Sequence, residues 1–237
     1  MQIKLLNILA FIALIFLIIY ISLSNNYKIT SEDGIIEYLS AFFWLIGIIL
    51  SIKIVISKEL KMKAIAIVFL MICIISLGEE ISWGQRVFNI RTPDIMVNAN
   101  RQAEMNFHNL YIFSGGSCWL EFFKSGKFNI YQLTDAQNLF RIFFILFFLI
   151  FPILNKIKRF QVLFRKIGYY RPDNYFTLSI FLFLFVSCLI MIGKDELYLH
   201  SIQEIREMSY AIFIGFYLTY YFHYWRNSNN SQYFHSQ

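Results

Sequence analysis

Apolar residues run along this chain in six long blocks separated by polar stretches. The blocks cover roughly residues 3–23, 35–56, 62–83, 137–155, 174–193 and 204–225. A helix needs about 20 apolar residues to cross the hydrocarbon core of a bilayer, and each block meets that length. The third and sixth reach it only when polar residues at their ends are counted. The pattern predicts an all-α integral membrane protein: a six-transmembrane-helix bundle filling residues 1–226 as one domain. The segment 227–237 is polar, rich in Asn and Ser, and expected to be disordered.

The longest interruption, residues 84–136, has a pattern of its own. Thr92-Pro93-Asp94 is a helix-start signal. Residues 95–112 then mix polar and apolar positions at near-helical spacing, which predicts an interfacial or re-entrant helix in this long outer loop. Ser114-Gly115-Gly116-Ser117 ends it. Trp119, Phe122, Phe123, Phe128 and Tyr131 place the remainder at the membrane surface. The first block follows Met-Gln and is longer than the signal-peptide core of roughly 7–15 residues, so an uncleaved signal anchor is expected.

Composition agrees with the pattern. Of 237 residues 58% are apolar, 27 are Phe, and only 15% are charged, against about a quarter in soluble domains. A net charge of +6 raises the question of nucleic acid. The basic residues instead sit in short loops between apolar blocks, where membrane topology puts them, and no nucleic-acid partner is expected. Lys58, Lys61, Lys63, Lys156, Lys158, Arg159, Arg165, Lys166, Arg171 and Arg226 fall on one side if the six helices alternate. That side is then cytoplasmic, with both termini. Only Glu59 and Asp173 of the 15 acids fall there. Cys73 and Cys188 lie within apolar blocks and Cys118 in the long loop, so all three are read as unpaired.

Ionisable residues in or near membrane helices are costly and mark function by default. Four groups stand out. Glu32, Asp33 and Glu37 open the second block; helix-start electrostatics explains the first two better than Glu37. Gly78-Glu79-Glu80-Ile81-Ser82-Trp83-Gly84-Gln85-Arg86 closes the third, with Glu79 and Arg86 spaced to share a helix face and the two adjacent carboxylates aimed apart. In the loop helix, Asn100, Glu104 and His108 recur every four residues, with Arg101, Gln102, Asn106 and Asn109 around them. Glu-x-x-x-His puts a carboxylate and an imidazole one turn apart, which suits a metal or an acid–base pair. Asp195, Glu196, His200, Gln203, Glu204 and Glu207 lead into the sixth block, and all but Asp195 fit one helix stripe. Each group has a structural alternative: a cap, a salt bridge or a solvated face. Their shared location at one end of the bundle is the stronger signal. Carboxylates gathered in low dielectric need protons, a cation or Arg, and Arg86, Arg101, Arg141 and Arg206 are available.

The run GEEISWGQR, then TP, then NANRQAEMNFHN, with SEDGIIEY before and EIREM after, resembles a family of bacterial multi-pass membrane proteins of unknown activity. The resemblance spans most of the outer-face positions and implies the bacterial cytoplasmic (inner) membrane. A looser similarity is to alkaline-ceramidase-like membrane hydrolases, through Glu32, Glu37 and Ser82. That family's late His-x-x-x-His is missing, because His200, His223 and His235 lack the spacing, and the identification is not adopted.

The expected function is an envelope enzyme, a hydrolase or head-group transferase, acting on a lipid or lipid-linked substrate. Its polar centre would be Glu79, Glu80, Glu104, His108, His200, Glu204 and Glu207, supported by Glu37, Ser82, Gln85, Arg86 and Asn106. His108 or His200 is the candidate general base, and Glu104, His108, His200 and Glu204 are the candidate ligands for a divalent metal. The alternatives are a proton- or ion-coupled transporter and a non-catalytic envelope assembly partner.

Overall fold

The structure, a computed structural model, describes residues 2–24, 34–57, 60–100, 103–106, 110, 136–192 and 196–235. Among these the regular structure is helical, apart from one isolated antiparallel bridge between Asn100 and Leu110. The long helices are α1 (Gln2–Ser24), α2 (Ile35–Ile56) and α3 (Leu60–Glu80). A 3-10 turn, Ser82–Gly84, leads to two short helices, α4 (Gln85–Phe88) and α5 (Asp94–Ala99). Next, α6 (Ala136–Ile145) passes through a π-helical segment, Leu146–Ile150, into α7 (Phe151–Leu154). Helix α8 (Lys158–Lys166) precedes α9 (Asn174–Met191) and α10 (Glu196–His235). Helices α2 and α9 are long and apolar enough to cross a membrane, and shorter apolar stretches run over Leu5–Ile21 and Asn138–Leu154.

Helix α10 is the axis of the bundle. From Ser201 to Tyr221 it is buried on almost every face, the property of a helix enclosed by others. It packs against α1, α2 and α9, and α2 packs in turn on α3. Close approach of α2 and α3 depends on Gly47, where an added Cβ would stand 2.7 Å from Cys73 Sγ. Tyr217 of α10 lies within 5.3 Å, centroid to centroid, of Phe69, Phe147 and Phe148. Those rings tie α3 and the π segment to the axis.

The π segment has a local cause. Phe151 N–H bonds to Leu146 O, five residues back. The next bond in that series would run from residue 152 to Phe147 O, but residue 152 is Pro and has no N–H. Tyr169 fills the gap, its hydroxyl donating to Phe147 O at 3.1 Å. Burial pushes the Tyr169 phenol well above its ordinary range, outweighing the opposing charge of Arg171, so the donor keeps its proton. Two further hydroxyls close the same end: Tyr217 donates to Tyr170 O and Tyr221 to Gly168 O, each at 3.1 Å.

Several expectations change. The third block stops as a helix at Glu80 rather than residue 83, because the chain turns left-handed there. The loop helix expected over 95–112 starts at Asp94, directly after Pro93, but ends at Ala99. Asn100 is extended (φ −117°, ψ 138°) and Ala103 has φ 55°. Asn100, Glu104 and His108 therefore do not form a helical stripe. The Asn100 amide donates to both Asn106 O (2.6 Å) and Asn106 Oδ1 (2.7 Å), a local side-chain bond of the kind that competes with helix. At the other end α10 begins at Glu196, before the predicted 204, and its backbone stays helical to His235. Extending a helix already nucleated is cheap, even through the polar segment expected to be disordered. Glu32, Asp33, Arg101, Gln102, His108, Asn109, Asp195, Cys118 and the aromatic remainder of the long loop lie outside the described residues. Cys73 and Cys188 are free thiols.

Replacing Tyr169 by Phe leaves the buried Phe147 carbonyl without its donor. The expected loss is about 1–3 kcal/mol of stability, measured as a lowered unfolding midpoint of the purified protein in mild detergent.

Candidate functional site

The site is organised by the end of α3. Ser82, Trp83 and Gly84 follow one another with φ of 45°, 52° and 84°. Left-handed backbone costs a non-glycine residue about 1–2 kcal/mol, so two such residues in a row require compensation. Ser82 is fully buried, and its hydroxyl donates to Glu104 Oε2 at 2.7 Å. The Trp83 indole N–H donates to Glu79 Oε1 at 2.6 Å. This folds the ring back over Gly78, where an added Cβ would stand 2.9 Å from two ring carbons.

The segment around Glu104 is fastened to this turn by side chains. Gln85 takes the backbone N–H of Met105 on its Oε1 at 2.7 Å while its amide donates to Thr92 Oγ1. Asn106 Nδ2 donates to Glu104 Oε2 at 2.9 Å, beside the bond from Ser82. Asn100 and Asn106 are buried, and Glu104 is half-buried. On the other side, buried Ser40 of α2 donates to Glu80 Oε1 at 2.6 Å. The adjacent carboxylates of Glu79 and Glu80 thus face different partners, as their positions on a helix require. Glu37 is in the first turn of α2, three residues before Ser40.

The structure therefore joins Glu79, Glu80, Ser82, Gln85, Glu104 and Asn106 across α2, α3 and the loop segment. Glu79 and Arg86 do not lie on one continuous helix, because α3 ends at Glu80 and the left-handed turn follows. Glu79 accepts from Trp83, and the Arg86 side chain is outside the described residues. The stripe on α10 forms as spaced. His200 Nε2 stands 3.7 Å from Glu204 Oε1, on an exposed face, and Gln203 Nε2 donates to Glu207 Oε1 at 3.2 Å. Beneath them Arg206 is buried, with Nη1 3.5 Å from Met191 Sδ and Nη2 3.4 Å from the Tyr210 hydroxyl. Arg141 donates to buried Asn138 Oδ1 at 3.0 Å. Of the candidate metal ligands, His200 and Glu204 stand together and His108 is outside the described residues. Among the described residues no three His, Cys, Asp or Glu side chains gather as a metal site.

Ser40 and Thr92 are the members that sequence reasoning missed. Ser40 carried a usable signal: Ser40, Trp44, Gly47 and Ser51 recur along one face of α2, and that face is buried. Thr92 reads only as part of a turn.

Substituting Gly78 by Ala forces the Trp83 ring off its seat and breaks its bond to Glu79. The expected cost is about 1–3 kcal/mol, with a shift in tryptophan emission that disappears when Trp83→Phe is the background. Compared with protein-family models, curated proteins and solved structures, the chain matches none.

Proposed function

We propose that this chain is a six-span protein of the bacterial cytoplasmic membrane. Its carboxylate site would face the extracytoplasmic side and act there as a hydrolase or head-group transferase on a lipid or lipid-linked substrate. The membrane reading is supported by which residues face outward. Helix α2 buries Ser40, Gly47 and Ser51 and exposes Phe42, Leu45, Ile49 and Ile52. Water would drive such a helix to turn the other way, because exposed apolar area costs about 25 cal/mol per Å². In lipid the small residues bring helices together and the large ones meet acyl chains. Helix α1 also turns large apolar side chains outward, with Phe16 67% and Leu23 79% exposed. Helices α1, α2, α3, α6 continued through α7, α9 and α10 are the six spans. Lys156, Lys158, Arg159, Arg165 and Lys166 gather at one end of the bundle, the cytoplasmic end by the positive-inside rule. The site residues stand at the other.

The observation that carries the functional reading is buried Ser82 donating to Glu104 from a strained turn. Strain of this kind concentrates at functional sites, and here it fixes a half-exposed carboxylate at the membrane–water level. Hydrolysis at such a site consumes one water. The water oxygen bonds to the ester centre as a base such as Glu104 takes its proton, and the lipid alcohol leaves with a proton returned by an acid. In head-group transfer an acceptor hydroxyl takes the place of the water.

Glu104→Gln keeps the acceptor for Ser82 but removes the base. Purified protein is incubated with vesicles of total envelope lipid and the lipids are read by mass spectrometry. The variant is expected to lose at least about 100-fold in turnover, with only a small fall in the unfolding midpoint as a neutral acceptor replaces a charged one for Ser82. No altered lipid species with the unmodified protein overturns the enzyme, and proton flux into the same vesicles would put the transporter in its place. Orientation is checked with Ser231→Cys in a chain whose three native cysteines are Ser. The new thiol is expected to resist an impermeant reagent in intact cells and to react after lysis.

A further inference from the structure

We infer that the cytoplasmic end carries a binding site for an anionic phospholipid, in the groove between α7 and the first half of α9. The inference rests on the membrane reading above but not on the carboxylate site. The groove encloses about 370 Å³, within the size range of small-ligand sites. Its walls are apolar, with Pro152 and Ile153 on one side and Leu178 and Phe181 on the other. Its lining also carries two cations, Lys156 and Arg171.

One cation of the groove is held in place by a polar neighbour, and two polar atoms have no partner. Arg171 Nη2 donates to Asn174 Oδ1 at 2.6 Å, which fixes the guanidinium. Its Nε is buried with no hydrogen-bond partner among the described residues, and so is Thr177 Oγ1. Asp173, the acid nearest in sequence, accepts the Phe176 N–H at 2.8 Å as the cap of α9. A phosphodiester fits this set: negative charge for Lys156 and Arg171, acceptor oxygens for Arg171 Nε and Thr177, and acyl chains along Ile153, Leu178 and Phe181. Leu178 and Phe181 are exposed, so the chains run out into lipid. Helix α8 adds to the field. It is basic at both ends, through Lys158, Arg159, Arg165 and Lys166, and it exposes Val162 and Leu163, the character of a helix lying in the interface. Basic pockets on the cytoplasmic side recognise anionic head groups in this way.

The test uses the full chain, purified in mild detergent after equilibration with equal phosphatidylglycerol and phosphatidylcholine, with retained lipid counted by native mass spectrometry. Phosphatidylglycerol is expected to be retained about thirtyfold over phosphatidylcholine, the scale for two cations at a charged surface. Lys156→Ala with Arg171→Ala is expected to bring the ratio to near parity, whereas Lys158→Ala with Arg159→Ala keeps most of it. Arg171→Lys preserves charge and is expected to retain an intermediate preference, which separates recognition from misfolding. Parity in the unmodified protein, or a double variant that binds unchanged, overturns the site. Full displacement of the lipid by excess inorganic phosphate would do so as well, by making free phosphate the ligand. If alkaline carbonate strips the chain from membranes, the membrane reading itself fails; a chain that stays embedded but holds both lipids equally refutes this proposal alone.

Discussion

The burial of α10 is the constraint on which the other helices depend. A helix covered on almost every side from Ser201 to Tyr221 fixes the position of each neighbour, because its residues meet them through interlocking rings rather than a smooth surface. Tyr217 is met by Phe69 from α3 and by Phe147 and Phe148 from the π segment, and the two π-segment rings stand nearly perpendicular to it. Each such contact adds about 0.5–1.5 kcal/mol beyond area burial, and its angular preference penalises sliding. Once α3 is fixed against α10, and α2 is fixed against both, the height of Glu80 relative to Ser40 follows. The polar site is thus located by aromatic packing several turns away.

At the site, strain is balanced by hydrogen bonds. Two non-glycine residues in left-handed backbone cost together about 2–4 kcal/mol. A hydrogen bond to a charged group contributes about 1.5–3 kcal/mol, and the turn has two of them, from Ser82 to Glu104 and from Trp83 to Glu79. The terms are of similar size. The turn therefore depends on its carboxylates, which are structural partners as well as candidate reactants.

The helices were legible in the sequence where apolar runs are long. Block 35–56 coincides with α2, and 137–155 nearly coincides with α6 through α7. The π segment inside the latter was not legible, since Pro152 alone does not say whether a helix kinks, ends or shifts its hydrogen bonds. The site was legible as a set of residue types at one end of the bundle, because acids are rare near lipid. Its connections were not. Helical spacing joined Asn100, Glu104 and His108, but Asn100 prefers its own bond to Asn106, and that preference breaks the period on which the reading relied. Basic residues at 158–166 read as a loop because a helix lying in an interface shows no long apolar run.

The two ends of the bundle use hydrogen bonds of different chemical kinds, and this bears on what each can do. At the basic end, phenols donate to backbone carbonyls: Tyr169 to Phe147, Tyr217 to Tyr170, Tyr221 to Gly168. Burial raises Tyr169 and also Tyr170, the latter with help from Asp173 and Tyr224, so no proton is lost there near neutrality. That end is a fastening. At the acidic end, Ser82 Oγ and Asn106 Nδ2 donate to the same oxygen, Glu104 Oε2. Both donors come from segments that the carboxylate ties together, the turn after α3 and the loop that carries Asn106. The acidic end is therefore also a fastening, but one made by a side chain that water and substrate can reach, because Glu104 is only half-buried.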